Sequence, residues 1–308
     1  MRKEALMTKY HVPVMLDECL EGLAIKSDGV YVDVTYGGGG HSKAILEKLG
    51  DEGVLLVFDQ DADALENKVE DSRLRFCHAN FKYLKNFCSF YGFEKIDGLL
   101  ADLGVSSHHL DEESRGFSFR FGEAELDMRM NTKSGVTASS VLNTYDQPRL
   151  ARIFRSYGEL NKASQIANAI VNFRSGKEIK TTVDLEMAIS KFLNDKTRNK
   201  TLAKVYQAVR LEVNQEMETL KDMLTQSVDL LKPEGRLVVM SYHSLEDRLV
   251  KNLVQTGNVE GERVTDSFGN VNNVLKAINK KPVVAKAEEI VANSRSRSAK
   301  LRVAEKVG

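Results

Sequence analysis

The sequence predicts an α/β protein, a doubly wound parallel sheet with an all-helical domain inserted into it. In the N-terminal third of the chain, short apolar runs typical of buried strands alternate with amphipathic stretches typical of helices. This alternation stops near Asp111, helical patterns dominate to about Arg210, and the next apolar run follows at Arg236–Met240. Four consecutive glycines, Gly37–Gly40, directly follow the first predicted strand, at a point where an α/β sheet can bind a ligand.

The apolar pattern predicts the elements of the sheet domain in order. Strands are predicted at Val30–Val34, Val54–Phe58, Leu74–Cys77, Ile96–Leu103 and Arg236–Met240. Helices are predicted at Leu16–Leu23, at Ser42–Leu49, through Ala64, Leu65 and Val69, and at Tyr83–Phe90. Lys232–Gly235 has the Pro and Gly of a turn, and Ser244, with an acid three residues later, predicts a helix cap. The alternating segment Ala299–Ala304 predicts an edge strand.

These elements predict two domains. Residues 1–110 and 211–308 form the sheet core, and residues 111–210 form the helical insertion. Within the insertion, Leu150–Phe154 and Ile166–Val171 are examples of the helical pattern.

Bulk composition is typical of a globular protein and excludes a strongly basic overall charge. The 308 residues, 42% of them apolar, suffice for a sizeable core, and the zero formal net charge gives no whole-molecule field that attracts nucleic acid. A basic surface would have to be local, and nine Lys or Arg against three Glu lie between Lys276 and the end of the chain. Such a region is as typical of a solvated tail as of an RNA contact.

Cysteine usage and hydropathy predict a cytoplasmic protein. Cys19, Cys77 and Cys88 are widely spaced, and without a C-x-x-C pair or a spaced acid–histidine set we expect neither disulfides nor a metal site. The thiols are expected to be buried in a reducing compartment. The N-terminus has no apolar signal core, and no apolar run approaches the roughly 20 residues that span a bilayer. We therefore expect no membrane contact.

The glycine loop and the acids near it predict a nucleoside site. Asp33 lies in the first predicted strand, and Asp59 ends the second, nineteen residues after the last glycine. Glycines such as Gly37 and Gly39 let the backbone approach a ligand closely, and Asp59 would accept hydrogen bonds from ribose hydroxyls. The glycines could also form a turn without a binding role. This interpretation is weaker, because four glycines are followed by an acid at an interval that suits a nucleoside site.

The details of the loop favour one cofactor over two others. A dinucleotide loop needs G-x-G-x-x-G, but Ser42 occupies the position of the third glycine, and the G-K-[ST] of a phosphate loop is absent. An acid in the first strand before a glycine-rich turn fits S-adenosyl-L-methionine better. Asp33 would then balance the positive charge near the amino-acid tail of that cofactor.

A second group of residues, at the ends of the fourth and fifth predicted strands, supplies the candidate catalytic residues. Asp102 lies near the end of the fourth predicted strand, and because ligands in open α/β sheets lie outside the carboxyl ends of the strands, we expect Asp102 in the same crevice as the glycine loop. A carboxylate there can accept a proton from a reacting amine. Tyr242 and His243 follow the fifth strand, where Tyr242 could stack on a base and His243 could donate or accept a hydrogen bond. A lone histidine at a strand end is, however, more often structural.

Three further segments leave alternatives open. Arg115–Phe119 and Leu126–Met130 are typical of a hydrophobic hinge, in which Phe117 and Arg129 could also face a nucleotide. Lys196–Lys200 is either a solvated turn or a patch that contacts RNA.

Taken together, the motifs resemble those of the bacterial ribosomal RNA small-subunit methyltransferase H family, also called MraW. The resemblance covers almost the whole chain. The motifs are, in order, His11–Met15, Tyr36–Ser42, Asp102–Ser107, Arg115–Phe119, Leu126–Met130, Tyr242–Arg248 and Ser294–Ser298.

The resemblance implies a class I methyltransferase core with an inserted helical domain that recognises RNA. It implies methyl transfer from S-adenosyl-L-methionine to the exocyclic N4 of a cytidine in the decoding region of small-subunit ribosomal RNA, with an assembled subunit as the expected partner. The oligomeric state stays open, a homodimer included. The cofactor contacts that it implies are Gly39, Gly40, His41, Asp59, Phe81, Asp102 and His109.

Three departures from the family pattern are visible. Tyr157–Leu160 has one glutamate where the family usually shows a second one after it. His109 stands where a glutamine is common, and Ala203–Gln207 stands where Thr-Arg-Thr-Phe-Gln is usual, so that Tyr206 replaces a phenylalanine. Two rival functions are considered beside the methyltransferase, a nicotinamide-dependent oxidoreductase and a non-catalytic ribosome assembly factor.

Overall fold

The chain divides into two compact units, Met1–Gly104 with Met217–Gly308, and Val105–Glu216. The computed structural model describes residues 13–61, 63–104, 115–120, 122–133, 135–265 and 273–308. The sequence predicts the unit boundaries after residues 110 and 210. His109 and the segments 11–12 and 105–107 of the motifs above lie outside the described residues.

The first unit is built on one eight-stranded sheet. Its strands are β1 (Val30–Asp33), β2 (Val54–Asp59), β3 (Leu74–His78), β4 (Ile96–Asp102), β5 (Leu231–Ser241), β6 (Leu275–Ala277), β7 (Val283–Val284) and β8 (Lys300–Lys306). The strand order is β3-β2-β1-β4-β5-β8-β6, with β7 also paired to β8. Strands β1 to β5 are parallel, whereas β8 runs antiparallel to β5. The order reverses between β1 and β4, which makes their carboxyl ends the switch point where open α/β sheets bind ligands.

Helices account for most of the remaining regular structure. Those of the first unit before the insertion are α1 (Leu16–Leu23), α2 (Gly40–Lys48), α3 (Asp63–Glu66) and α4 (Leu84–Phe90). The following helices are α5 (Ala138–Thr144), α6 (Gln147–Ser156), α7 (Ala163–Arg174), α8 (Thr182–Ala188), α9 (Arg198–Val213) and α10 (Glu216–Leu230). The last two are α11 (Ser244–Thr256) and α12 (Ala287–Ala292).

The predicted α/β fold is confirmed. The central strand β4 is buried from Ile96 to Ala101, as expected for a parallel strand that is covered on both faces. All three cysteines are buried thiols without a disulfide. Burial raises the pKa of Cys77 to about 12 and that of Cys88 to about 11, so both remain protonated.

The predicted helix through Val69 is wrong, because α3 ends at Glu66. The hydroxyl of Tyr36, at 2.8 Å from the carbonyl oxygen of Asn67 and 3.0 Å from the backbone nitrogen of Val69, holds that segment in a loop. A buried hydroxyl that both donates and accepts thus takes the place of helical hydrogen bonds.

Three predictions at the C-terminal end of the core also need correction. Strand β8 is not an edge strand, because β5 pairs with one side of it and β6 and β7 with the other. Residues 232–235 form a bulge inside β5, since Ile96 pairs with Leu231 but Gly98 pairs with Arg236. The cap of α11 is His243 rather than Ser244.

The second unit is helical in its described residues, apart from an isolated bridge between Glu125 and Thr181. Side chains cap its helices: Thr137 accepts a hydrogen bond at the start of α5, Asp146 at the start of α6, and Thr181 forms a capping box for α8. The core of this unit combines apolar side chains from all five helices α5–α9. Phe117 and Met128 are buried in it.

Tyr206 brings a polar atom into this core without a partner for it. The residue is 4% exposed, and its hydroxyl has no hydrogen bond among the residues that the structure describes. Its ring packs edge to face on Phe119 at 5.5 Å between centroids. An unsatisfied buried hydroxyl destabilises the folded state, and phenylalanine would keep the ring contact.

We expect Tyr206→Phe to raise the free energy of unfolding by about 1 kcal/mol, because it removes a buried hydroxyl that has lost its hydrogen bonds to water. Urea unfolding followed by circular dichroism measures the change. The control is Tyr145→Phe in the same unit, because the Tyr145 hydroxyl accepts a hydrogen bond from Arg149 at 2.7 Å and its loss should not stabilise. A Tyr206→Phe protein less stable than the unmodified protein would contradict the prediction.

Candidate functional site

Three hydrogen bonds to the Asp33 side chain, called the clamp below, shape the loop between β1 and α2. The Asp33 side chain has no exposed surface. Its Oδ1 accepts hydrogen bonds from the backbone nitrogen of Thr35 at 3.0 Å and from Thr35 Oγ1 at 3.2 Å. Its Oδ2 accepts one from Ser42 Oγ at 2.7 Å. Because a buried carboxyl group is costly without donors, these contacts fix where the loop leaves the sheet and where α2 begins.

Thr35 extends the clamp to the neighbouring strand. Its Oγ1 accepts a hydrogen bond from the backbone nitrogen of Asp102 at 2.7 Å. The backbone nitrogen of Tyr36 donates to the carbonyl oxygen of Phe58 at 3.0 Å, so the loop is also tied to β2. The ends of β1, β2 and β4 are therefore held together by one short segment.

Two glycines adopt backbone conformations that other residues avoid. Gly37 has φ 51° and Gly39 has φ 76°. The backbone nitrogen of Gly37 donates to Asp59 Oδ2 at 2.9 Å. A Cβ atom on Gly39 would lie 2.7 Å from Tyr36 Oη, and one on Gly40 would lie 2.8 Å from Cγ of Pro13. The loop therefore needs glycine at positions 39 and 40, because the space above them is already filled.

Two further predicted cofactor residues, Asp59 and Phe81, lie at the end of β2 and just after β3. Asp59 ends β2, and its Oδ1 accepts a hydrogen bond from the backbone nitrogen of Asp61 at 2.9 Å. Phe81 opens a short 3-10 helix just after β3, capped by Asn80. Asn80 Nδ2 donates to Gln60 Oε1 at 2.9 Å, which links the two strand ends.

Asp102, at the end of β4, lies between a tyrosine and a histidine. The Tyr242 hydroxyl donates to Asp102 Oδ1 at 2.8 Å. On the other side, His41 Nδ1 is 3.8 Å from Asp102 Oδ2, and His41 Nε2 is 3.0 Å from the carbonyl oxygen of Val14. The structure therefore brings together three residues that the sequence assigns to different motifs.

The electrostatics of this cluster favour a carboxyl group that exchanges protons near neutral pH. Burial raises the pKa of Asp102 to about 6, although His41 and the Tyr242 hydroxyl both lower it. The Asp102 side chain nevertheless keeps 24% of its surface exposed, which leaves it accessible to a ligand. Burial and the Asp102 charge raise the pKa of Tyr242 well above its usual value, so the phenol remains a donor.

His243 has a structural role in the described residues. Its Nδ1 accepts a hydrogen bond from the backbone nitrogen of Glu246 at 3.4 Å, and the Glu246 carboxylate accepts from the backbone nitrogens of Tyr242 and His243 at 2.8 and 3.2 Å. This capping box fixes the turn that carries Tyr242. A catalytic role for His243 stays a prediction.

The geometry changes the interpretation of Asp33 and identifies residues that sequence reasoning missed. Both Asp33 oxygens are engaged with the loop itself, so its contact with a cofactor stays a prediction. Thr35, Ser42 and Glu246 were not candidates, yet they hold Asp33 and Tyr242 in place. Ser42 gave a signal in the sequence, since it stands at the position of the third glycine of a dinucleotide loop.

Two classes of site do not occur in the part of the chain that the structure describes. No group of three or more His, Cys, Asp or Glu side chains is placed to hold a metal ion there. None of the helices within the described ranges has the length and hydropathy needed to cross a bilayer.

Comparison with known proteins identifies close relatives over nearly the full length. The model of the MraW methylase family matches residues 8–307. "Ribosomal RNA small subunit methyltransferase H" of Phocaeicola vulgatus is 56% identical over 297 residues, covering 96% of this chain and 97% of the relative. The protein of the same name from Flavobacterium johnsoniae is 52% identical over 299 residues, covering 97% of this chain and 98% of the relative.

Solved structures give more distant matches. An rRNA methylase from Streptococcus thermophilus has 13% identity and a TM-score of 0.42, covering 98% of this chain and 99% of its own. TrmN from Thermus thermophilus has 11% identity and a TM-score of 0.44, covering 95% of this chain and 48% of its own. These TM-scores are too low to support conclusions about function.

We expect Ser42→Ala to lower the free energy of unfolding by about 1.5–3 kcal/mol, because it removes a donor from a fully buried carboxyl group. Guanidinium unfolding measures the loss. The matched control is Ser227→Ala, because Ser227 is equally buried but donates to the neutral carbonyl oxygen of Leu224, and this change should cost about 1 kcal/mol. Equal losses in the two variants would argue against the clamp on Asp33.

We expect Asp102→Asn to stabilise the protein above pH 6. The pKa of Asp102 is about 6 in the folded protein and near 3.8 in the unfolded chain, so the folded state binds more protons between these values. Its contribution to stability therefore falls as the pH rises through this window and stays lost above it, at a cost on the order of 2–3 kcal/mol. Thermal unfolding at about pH 8 should show the gain, and at about pH 4 it should nearly vanish. A pH-independent gain would contradict the assigned ionisation.

Proposed function

The chain belongs to the MraW methylase family, and from this premise we propose that it methylates the exocyclic N4 of a cytidine in the decoding region of small-subunit ribosomal RNA. The relatives named above are ribosomal RNA small subunit methyltransferases, and the cofactor of such a methylase is S-adenosyl-L-methionine. The observation that supports an amine as the acceptor is the partly exposed Asp102 carboxyl group at the switch point of the sheet, with a pKa of about 6.

The residues at the switch point fit this cofactor. Gly37 and Gly39 leave the loop without side chains beside the end of β1. The Asp59 carboxylate, which accepts hydrogen bonds from the backbone nitrogens of Gly37 and Asp61, would also accept hydrogen bonds from ribose hydroxyls. Phe81 supplies an apolar ring near the end of β3, where the base of the cofactor would lie. When bound, S-adenosyl-L-methionine supplies an electrophilic methyl group on a positively charged sulfur.

Asp102 would assist a poor nucleophile. The lone pair of the cytosine N4 is delocalised into the ring, and attack on a methyl group requires the nitrogen to become pyramidal. A hydrogen-bond acceptor beside the amine favours that change and can take the departing proton. Since the Tyr242 hydroxyl already donates to Oδ1, the second oxygen, Oδ2, is the one left for the amine. Alignment of nitrogen, methyl carbon and sulfur would supply much of the rate.

Tyr242 would act through Asp102 rather than as the base-stacking aromatic. Its hydroxyl is committed to Asp102, and its ring lies over Gly104, where a Cβ atom would be 3.2 Å from the ring. Phe117, the other aromatic considered, is 5% exposed in the helical core. We therefore assign the stacking on the flipped cytosine to neither of these two residues.

The RNA would be held by local basic surfaces, because the net charge of the chain is zero. Near the C-terminus, Lys286 pairs with Glu18, and Lys300 and Arg302 both pair with Asp247. Exposed basic side chains without an acidic partner among the described residues remain for phosphate contacts, namely Lys276, Lys280, Lys281 and Arg297. The helical insertion would supply the rest of the RNA contacts, and we expect the substrate to be a cytidine flipped out of its stack.

We expect the purified protein, with S-adenosyl-L-methionine, to form N4-methylcytidine in small ribosomal subunits from cells that lack it. Mass spectrometry of the ribosomal RNA nucleosides identifies the product, and free ribosomal RNA in a parallel reaction tests whether the assembled subunit is required. Asp102→Asn should bind S-adenosylhomocysteine and lose most of the transfer.

Three outcomes would contradict the proposal in different ways. A methyl group on another atom would overturn the N4 assignment. Full activity of Asp102→Asn would remove this residue from the mechanism. Calorimetric binding of NAD would favour the oxidoreductase. The absence of any methylated product would favour the non-catalytic assembly factor.

A further inference from the structure

The His41 imidazole is held in one orientation behind Asp102. It is 6% exposed, and its Nε2 lies 3.0 Å from the carbonyl oxygen of Val14. A carbonyl oxygen only accepts hydrogen bonds, so Nε2 carries a hydrogen and donates. In the neutral ring, Nδ1 is then the atom with the lone pair, and it faces Asp102 Oδ2 at 3.8 Å.

The other groups around Asp102 cannot take a proton from it as readily. The phenol of Tyr242 donates to Oδ1 and keeps its proton, because burial raises its pKa. Burial also raises the pKa of the Cys19 thiol, and nearby carboxylates add to the rise. Asp33 and Glu246 already accept hydrogen bonds from Ser42 and from the backbone of Tyr242.

The titratable groups that affect Asp102 come from several elements. They are Cys19 on α1, Asp33 on β1, His41 on α2, Tyr242 after β5 and Glu246 on α11. Of these, His41 alone combines a basic lone pair with a direct approach to the carboxyl oxygen left by Tyr242.

We propose that His41 is a positioning residue for methyl transfer, whose Nδ1 takes over the proton that Asp102 receives from the methylated amine. The inference rests on the proposed function. The 3.8 Å separation is longer than a hydrogen bond, so the proton transfer requires the two side chains to come closer during the reaction.

The step balances without a further reactant. The amine nitrogen forms its bond to the methyl carbon, and the electron pair of the broken carbon–sulfur bond stays on sulfur. The nitrogen, now positively charged, gives its proton to Asp102 Oδ2, which passes it to His41 Nδ1. The resulting imidazolium lies beside a regenerated carboxylate, which stabilises both charges. After the product leaves, the proton returns to water through the partly exposed Asp102 side chain.

A pair of substitutions separates this role from a structural one. His41→Gln keeps an amide that can donate to the Val14 carbonyl oxygen but removes the lone pair of Nδ1 from Asp102. His41→Asn places an amide near the Nδ1 position and loses the Val14 contact. The proposal predicts that His41→Gln loses activity at about pH 7 and regains most of it at about pH 9, because the acid limb of its pH–rate profile moves to higher pH.

The direction of this shift follows from the electrostatics of Asp102. His41 lowers the pKa of Asp102, which is about 6 with His41 present, through the positive charge that its ring carries once it has taken up a proton, so His41→Gln should raise that pKa. Carbon-13 NMR of the Asp102 carboxyl, assigned with Asp102→Asn, measures the titration in the protein without any cofactor. This measurement does not depend on methyl transfer, so it separates failure of the inference from failure of the proposed function.

The result that overturns the proposal is equally specific. If His41→Gln lowers the rate by one factor at every pH and leaves the Asp102 titration unchanged, His41 has a structural role only. Should His41→Gln fail to fold, His41→Asn is measured in the same way, and an unchanged acid limb in that variant overturns the proposal as well.

Discussion

One buried side chain, Asp33, organises the site. Its carboxyl group has no exposed surface, and no cation lies close enough to pair with it in the described part of the molecule. It must therefore be satisfied by hydrogen-bond donors, and those donors come from the loop after β1 and from the start of α2. Thr35, held in this way, accepts a hydrogen bond from the backbone of Asp102. The position of the candidate catalytic carboxyl group therefore depends on the buried Asp33 as well as on Asp102.

Burying the Asp102 carboxylate lowers the stability of the folded protein, and burial elsewhere in the sheet compensates for this loss. Asp102 is placed where burial disfavours its charge, with Asp33 and Glu246 nearby to disfavour it further. Such an arrangement is typical of functional sites, where a carboxyl group is tuned toward neutral pH at the expense of stability. The neighbouring strands β4 and β5 are buried near their carboxyl ends, and this apolar burial offsets the free energy lost at Asp102.

The fold was predictable because strand and helix periods are strong local signals. The five parallel strands lie where apolar runs predict them, with boundary differences of one residue at β1 to β4, whereas β5 begins five residues earlier and ends one residue later than predicted. The errors arise where a distant group decides the outcome. Val69 is non-helical because of the hydroxyl of Tyr36, and β8 is internal because β6 and β7 pair with it. Neither partner can be identified from the local pattern.

The sequence predicted which residues lie at the site better than it predicted what each of them does there. Asp59 and Asp102 were expected at strand ends because the polar residue after an apolar run marks the edge of a sheet, and both lie there. His243, expected only to donate or accept a hydrogen bond, caps α11, and the sequence does not display the backbone geometry on which capping depends. The His41 contact with Asp102 joins two motifs far apart in the chain, and no spacing rule connects them.

The most direct test of the account is a crystal structure of the protein with S-adenosylhomocysteine bound. We expect the ligand to lie across the ends of β1, β2 and β4, with its ribose hydroxyls on Asp59 and its sulfur on the side of Asp102. A ligand bound away from these strand ends, or with its sulfur remote from Asp102, would contradict the central claim that this carboxyl group serves the methyl transfer.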